Sequence, residues 1–295
     1  MTLPASGAIT MAQVNTELGY AATAAISLND AAVRTLFAKP SGAISLSDGY
    51  GKASYSKPPT VEYLVVGGGG GAGNRTGVYL GGGGGGGGVR AASGFAVASG
   101  AHTVTIGGGG LMGSPGAAPS SVFSSITSLG GGTGGDGSNT IGGNGSSGGS
   151  GGGGGAGASV TGTGGAGTAG QGYAGGDANL TSGGGGGGAA GVGGHGTLGG
   201  DAGPGLTSSI SGASVEYGTG GPVGGLAGSA PANIGQGGIS LADGAAANTD
   251  GGSGIVIIRY ADTYSAAIST TGSPTVTVAG GYRVYKWTAS GSITF

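Results

Sequence analysis

The sequence predicts a mostly β and irregular fold: a polyglycine II helix bundle capped by short β-strands. A small α-containing module precedes the bundle and a β-hairpin module follows it. Three observations predict this. Glycine supplies 85 of 295 residues and comes in blocks, where ordinary proteins carry roughly 7%. Charged residues make up 7% and hydrophobic ones 36%, whereas disordered chains are usually charged and poor in apolar residues. Apolar β-branched runs open and close the glycine-rich stretch. Collagen needs a strict Gly-X-Y period and abundant proline; this chain has 10 prolines and no such period.

Residues 1–57 carry a short internal repeat. Ala8-Ile9-Thr10-Met11, Ala25-Ile26-Ser27-Leu28 and Ala43-Ile44-Ser45-Leu46 each precede a helix-start signal. The pairs are Thr10 with Gln13, Ser27 with Asp30, and Ser45 with Asp48: a hydroxyl caps an orphan N–H while the residue three further on reaches back. The first helix is expected to turn Met11, Val14 and Leu18 inward and to stop at Gly19. The second, from Leu28 to about Ala38, is expected to bury Ala32 and Leu36. Gly49 and Gly51 cut the third short. Some fifty residues with such small apolar faces are poorly equipped to fold alone, which favours docking on a partner. Lys57-Pro58-Pro59 then reads as a stiff linker.

The body, residues 58–260, opens with the strand Val61-Glu62-Tyr63-Leu64-Val65-Val66 and closes with Ile255-Val256-Ile257-Ile258-Arg259-Tyr260. Phe95-Ala96-Val97-Ala98 and Thr103-Val104-Thr105-Ile106 flank a short turn and read as a hairpin. Between the strands lie glycine blocks at 67–71, 81–88, 107–110, 151–155 and 183–188. Glycine disfavours the α-helix by about 1 kcal/mol per residue relative to alanine, and in a strand it has no side chain to pack. The extended threefold helix, at about 3.1 Å per residue, remains. Glycine keeps its N–H, so such helices can bond laterally in two dimensions. A back-and-forth path places far turns at 74–80, 111–119, 138–141, 171–181, 206–217 and 239–249. Returning turns fall at 89–106, 122–126, 156–163, 189–198 and 222–234.

Residues 261–295 are β-rich. Thr275-Val276-Thr277-Val278 and Tyr282-Arg283-Val284-Tyr285-Lys286-Trp287 flank Ala279-Gly280-Gly281, a strong hairpin signal. Ser292-Ile293-Thr294-Phe295 reads as a last strand.

Three segments carry a resemblance. Leu3-Pro4-Ala5-Ser6-Gly7-Ala8-Ile9-Thr10-Met11, echoed by Ser41-Gly42-Ala43-Ile44-Ser45-Leu46-Ser47-Asp48, resembles the N-terminal module of bacteriophage tail structural proteins. The body resembles the glycine-rich domain of phage tail fibres and tail-tip proteins, above all in Gly251-Gly252-Ser253-Gly254-Ile255-Val256-Ile257-Ile258-Arg259-Tyr260. The ending, from Gly281 to Phe295, is similar to the small β module that accompanies that domain. There is a more distant similarity to the tail-tip adhesins of T-even-like phages, whose glycine helices stack side by side with receptor-binding loops at the tip. Those adhesins lack this N-terminal repeat. The resemblance implies a virion location in the tail, contact with other tail proteins through residues 1–57, and a bacterial surface receptor, a glycan or an outer-surface protein. A homotrimer is compatible with a fibre, although no heptad repeat enforces one.

Composition narrows the chemistry further. The net charge of -2 and the scattered cations leave no footprint for nucleic acid or anionic membrane. With no cysteine there is neither a disulfide nor a thiolate site. No basic leader or long apolar run appears, so a soluble chain without membrane insertion is expected. The glycine blocks match G-x-G-x-x-G trivially, but no helix opens after them as phosphate binding requires. His102 starts a strand and His195 sits in Gly193-Gly194-His195-Gly196; neither has partners at metal-ligand spacing. Asp136, Asp177, Asp201, Glu216, Asp243 and Asp250 lie among glycine turns, where Asp commonly caps local backbone. No cofactor, metal or catalytic residue is expected.

The candidate binding residues are large side chains in the expected far turns: Tyr79, Leu111, Met112, Tyr173, Leu180, Ile210 and Tyr217. Aromatic faces with polar neighbours bind sugars and protein loops. The leading reading is therefore an adhesin; the alternative is a structural spacer or decoration protein of the virion. Ice binding, which needs a flat regular array of threonines, ranks last.

Overall fold

A computed structural model describes residues 3–52, 54, 56–225, 228–241 and 248–295. The chain divides into two compact units, Met1–Lys57 and Pro58–Phe295.

The first unit holds α1 (Met11–Glu17), α2 (Ala31–Leu36) and a single 3-10 turn at Leu46–Gly49. Thr10 and Gln13 form the reciprocal cap at the start of α1, and Ser45 with Asp48 does the same for the 3-10 turn. The second helix starts three residues later than expected, with Asp30 as its N-cap: Asp30 accepts from the Ser27 amide at 2.8 Å, but the Ser27 hydroxyl accepts from the Asn29 amide and so closes a turn instead of capping a helix. Its inward residues are Val33, Leu36 and Phe37, while Ala32 is only partly buried. Together with Leu3, Ile9 and Val14 they form a core, flanked by Leu18, Ile26, Leu28, Ile44 and Leu46. The apolar faces expected to await a partner are thus largely closed on one another, and among the described residues Tyr20 and Tyr50 are the large apolar side chains left exposed. Lys39 bonds both Asp48 oxygens, at 2.9 and 3.0 Å, and holds that carboxyl below the usual carboxylate range.

The second unit is mostly β. Its first sheet contains β1 (Thr60–Val66), β2 (Val89–Ala96), β10 (Ile255–Ala261), β12 (Thr275–Ala279) and β13 (Tyr282–Trp287), in the order β12-β13-β10-β1-β2. The second contains β3 (Ala101–Thr105), β4 (Ser121–Phe123), β5 (Ile126–Ser128), β11 (Ser269–Thr271) and β14 (Gly291–Thr294), in the order β11-β14-β3-β4-β5. Two small pairs complete the set: β6 (Leu206–Ser208) with β7 (Val215–Tyr217), and β8 (Val223–Gly225) with β9 (Ser240–Leu241).

The first and last strands of the glycine-rich stretch pair antiparallel, Val66 opposite Ile255. Their continuous apolar sequences follow from burial on both faces. Val61, Val65, Val256, Ile258, Tyr285 and Trp287 share a core with Val104, Phe123 and Ile293 of the second sheet. On the opposite face Leu64, Val66, Ile255 and Ile257 lie under Ile210 and Tyr217 of the β6–β7 hairpin. Each such side chain contributes about 1.5–3 kcal/mol by leaving water. The expected hairpin around Ser99-Gly100-Ala101 does not form: β2 and β3 lie in different sheets, so this link is the corner between them. The hairpin around Gly280 and Gly281 does form, with φ of 60° and 82° at the two glycines, the left-handed pair that a two-residue turn requires. Residues 261–295 supply strands to both sheets and join them, the Trp287 indole donating to the Thr271 carbonyl at 3.0 Å.

Between the strands the glycine runs carry no ladder. The amides of Gly82, Gly85 and Gly88 donate to the carbonyls of Gly135, Gly132 and Leu129. Those of Gly83 and Gly86 donate to Gly184 and Gly187, and those of Gly84 and Gly87 to Gly238 and Gly235. All are 2.7–3.0 Å long. Successive residues of one run therefore turn to three different neighbours, with a period of three.

Candidate binding surface

The same hydrogen bonds fix which turns share an end. From β1 the chain leaves the sheets along 67–73 and returns along 81–88, with Gly67, Gly70 and Gly73 donating to Gly88, Gly85 and Gly82. The turn between them closes on mutual Thr76–Tyr79 bonds of 3.1 Å. Neighbouring turns reach the same level: the Ala156 amide donates to Leu80, the Leu80 amide to Thr181, and the Ser138 amide to Ala156. Ile141 bridges Val160, the Gly142 amide donating to the Val160 carbonyl at 2.8 Å. The turn at Leu111 joins this end too, because the Gly113 amide donates to Ala72 and the Met112 amide to Asp250.

This free end, opposite β1 and β10, is studded with exposed apolar side chains. Val78, Leu111, Ile141, Val160 and Leu180 are each more than half exposed. Tyr79 and Met112 are partly buried beside them in sequence. Four of the expected residues, Tyr79, Leu111, Met112 and Leu180, thus stand at the free end. Val78, Ile141 and Val160 stand there as well; the signal for Val78 was its place beside Tyr79 and Leu80, and for Ile141 and Val160 a lone β-branched residue in a polar, glycine-rich turn.

The other three stand elsewhere. Ile210 and Tyr217 are 6% and 2% exposed and pack on the first sheet, because 206–217 is a hairpin at the sheet end of the glycine runs. Tyr173 is half exposed but also near the sheets: Val89 donates to Gln171, and Leu129 donates to the Gln171 side chain. It lines a concavity of 790 Å³ with Val89, Ala91, Val192 and Leu206. The cause is one unmarked turn. The Gly149 amide donates to Gly130, so the chain has come back to the sheet end near Ser146–Ser150 before setting out again. Ser146-Ser147-Gly148-Gly149-Ser150 looks like the runs around it, and without it the turn that follows is assigned to the wrong end. The 156–163 turn accordingly lies at the free end, and 171–181 and 189–198 each contain turns of both ends.

The polar groups mostly serve the backbone. Asp136 accepts from the Asn74 amide, Asp177 from Gly164, Glu216 from Gly205 and Asp250 from Met112, at 2.6–2.8 Å. Asp243 lies outside the described residues. Both ring nitrogens of the buried His102 have partners, Ser124 Oγ and the Ala98 carbonyl. His195 comes within 4.0 Å of Asp177, both exposed, a proximity their sequence separation did not announce. Among the described residues, no group of three His, Asp or Glu side chains is placed to hold a metal ion.

The sequence profile of a glycine-rich domain family matches residues 48–261, from the 3-10 turn of the first unit to the end of β10. Neither a curated protein nor a solved structure matches the chain.

Proposed function

The chain belongs to the glycine-rich domain family, and from that premise we propose that it is an adhesin of a bacteriophage tail fibre or tail tip. Its glycine runs form a polyglycine II bundle that carries receptor-binding turns away from the sheets. The reading of the bundle rests on the three-residue period of the lateral hydrogen bonds, the repeat of the extended threefold helix. The reading of the function rests on one observation: exposed Val78, Leu111, Ile141, Val160 and Leu180 gather on turns at the end remote from the sheets. Exposed apolar groups rimmed by polar ones mark contact surfaces, and loops on a rigid scaffold are where recognition diversifies. Here the rim is Thr76, Ser138, Thr140, Ser159 and Asn179. A bacterial surface glycan or outer-surface protein is the partner this chemistry fits.

Adsorption of virions to the host tests it. The double variant Ile141→Ser with Leu180→Ser removes exposed side chains only, so melting temperature should stay unchanged. Adsorption should fall at least tenfold, which is about 1.4 kcal/mol. Wild-type adsorption by this variant and by a matching Val78→Ser, Leu111→Ser pair would leave the spacer role instead.

Attachment to the virion is assigned to residues 1–57, a unit with its own core and a capped first helix. A truncated chain starting at Lys57 should fold and stay soluble yet fail to enter virions. Its normal incorporation, read by mass spectrometry of purified particles, would move the attachment role to the second unit.

A further inference from the structure

Each of the two five-stranded sheets has two edges, and three of these four are blunted. The edge of β2 carries Arg90, is bonded at its start by Val89 to Gln171, and is broken by a bulge opposite Val61–Tyr63 with Gly94 at φ 79°. The outer strands of the second sheet, β5 and β11, have three residues each. Bulges, charges and shortness are the usual protection against unwanted strand pairing. β12 has none of them. It runs five residues, Thr275-Val276-Thr277-Val278-Ala279, all exposed, with no charge and no bulge.

The hairpin geometry decides which groups that edge offers. Across a two-residue turn the closing pair, here Ala279 and Tyr282, exchanges hydrogen bonds. Thr277 and Thr275 therefore bond inward to β13, opposite Val284 and Lys286. The amides and carbonyls of Val276 and Val278 point outward. Among the described residues no bond outside the β12–β13 pair is recorded for either one.

We propose that the occupant of this edge is a second copy of the chain, joined through β12 by antiparallel pairing about a two-fold axis at Thr277. The sequence of the strand is its own complement in that register. Val276 falls opposite Val278 of the partner subunit, and Val278 opposite Val276 of the partner subunit. Both are hydrogen-bonded pairs, so the four outward amide and carbonyl groups on each side are all satisfied. Thr277 meets Thr277 of the partner subunit as a non-hydrogen-bonded pair, and Thr275 meets Ala279 of the partner subunit. Cross-strand pairs of β-branched residues favour a sheet and like charges oppose it; the nearest charges, Arg283 and Lys286, sit one strand back on β13. Val276 and Val278, 47% and 51% exposed, would cover each other, and such an isologous contact closes as a dimer. A register shifted by one residue would set an outward-bonding residue against an inward-bonding one, which the ladder does not allow; a shift of two would set Val278 against Pro274, which has no amide, or Val276 against Gly280 in the turn. This pairing is independent of the receptor reading, since β12 belongs to the sheets and not to the free-end turns.

Sedimentation equilibrium on the full chain, with single-cysteine cross-linking, tests the proposal. The wild type should show a reversible monomer–dimer equilibrium. Val278→Pro removes only an outward amide, so the melting temperature should hold while dimerisation weakens at least tenfold. The chain has no cysteine, so Thr277→Cys introduces a unique thiol. In the proposed register its Cα lies roughly 4.5 Å from that of its counterpart, within disulfide reach, and mild oxidation should give a covalent dimer. Ala279→Cys would lie about 14 Å from its counterpart, four residues along the strand, and should not cross-link. A monomer at every concentration the protein tolerates overturns the proposal. So does a trimer, or a dimer that links through Ala279→Cys as readily as through Thr277→Cys. If Val278→Pro fails to fold, the two cysteine variants decide alone.

Discussion

Replacing Gly85 by valine should cost at least about 3 kcal/mol, the upper end of the range for overpacked interiors, and should abolish folding where the margin is small. Gly85 lies in the run 81–88, is buried, and is bonded on two sides: its amide donates to Gly132 and its carbonyl accepts from Gly70, each at 2.8 Å. A Cβ built there would meet the Ser150 carbonyl and stand 2.8 Å from the carbonyl of Gly151. Those atoms are backbone, themselves tied into further bonds, and cannot swing aside as a side chain would. Gly108 provides the comparison. It belongs to a similar run, 107–110, but faces solvent, and a Cβ there meets nothing within 4 Å. Gly108→Ala should be neutral or stabilising by up to about 1 kcal/mol, since alanine loses less freedom on folding. Thermal unfolding of the two variants side by side separates them. Equal, small effects would show that the runs are loosely packed and would remove the physical basis of the proposed bundle.

Strands and caps were legible because they carry side-chain signals. Thr10 with Gln13, the runs at 61–66 and 255–260, and the Gly280-Gly281 hairpin each encode their own geometry. Glycine runs encode almost none. A run of glycine states that a backbone will be approached closely, but not in which direction the chain is travelling. The order of ends therefore rests on the turns alone, and turns without an apolar marker, such as Ser146–Ser150, upset it. The misplacement of Ile210 and Tyr217 had a different cause, and a signal against it was present. Val61-Glu62-Tyr63-Leu64-Val65-Val66 and Ile255-Val256-Ile257-Ile258 are apolar on both alternating faces, so the sheet they form needs a cover on each side. The second sheet supplies one. Few large apolar residues remain in the glycine-rich stretch to supply the other, and Ile210, Val215 and Tyr217 are among them. Val215-Glu216-Tyr217 alternates as a half-buried strand should.

That cover makes Tyr217 a structural residue, and Tyr217→Ala should destabilise the second unit by about 3–5 kcal/mol, as truncating a buried aromatic does. The ring sits against Leu64, Val66, Val89 and Ile257 with 2% exposure, so its removal opens a cavity over the strands that anchor the whole glycine-rich stretch. Host adsorption by the folded fraction should be unchanged, because the residue is remote from the free end. The phenol adds a second readout. Burial pushes its pKa above the ordinary 10.0, and a hydrogen bond from Ser211 offsets this only in part. The neutral form is thus preferred in the fold. The stability it confers is complete below pH 10.0 and drains away as pH rises from there through the raised value. Tyr217→Phe keeps the packing and cannot ionise, so it should lose little stability near neutrality. Its melting temperature should fall less steeply in alkali than that of the wild type. A Tyr217→Ala variant that melts like the wild type while losing adsorption would return this residue to the receptor surface and place the β6–β7 hairpin among the binding turns.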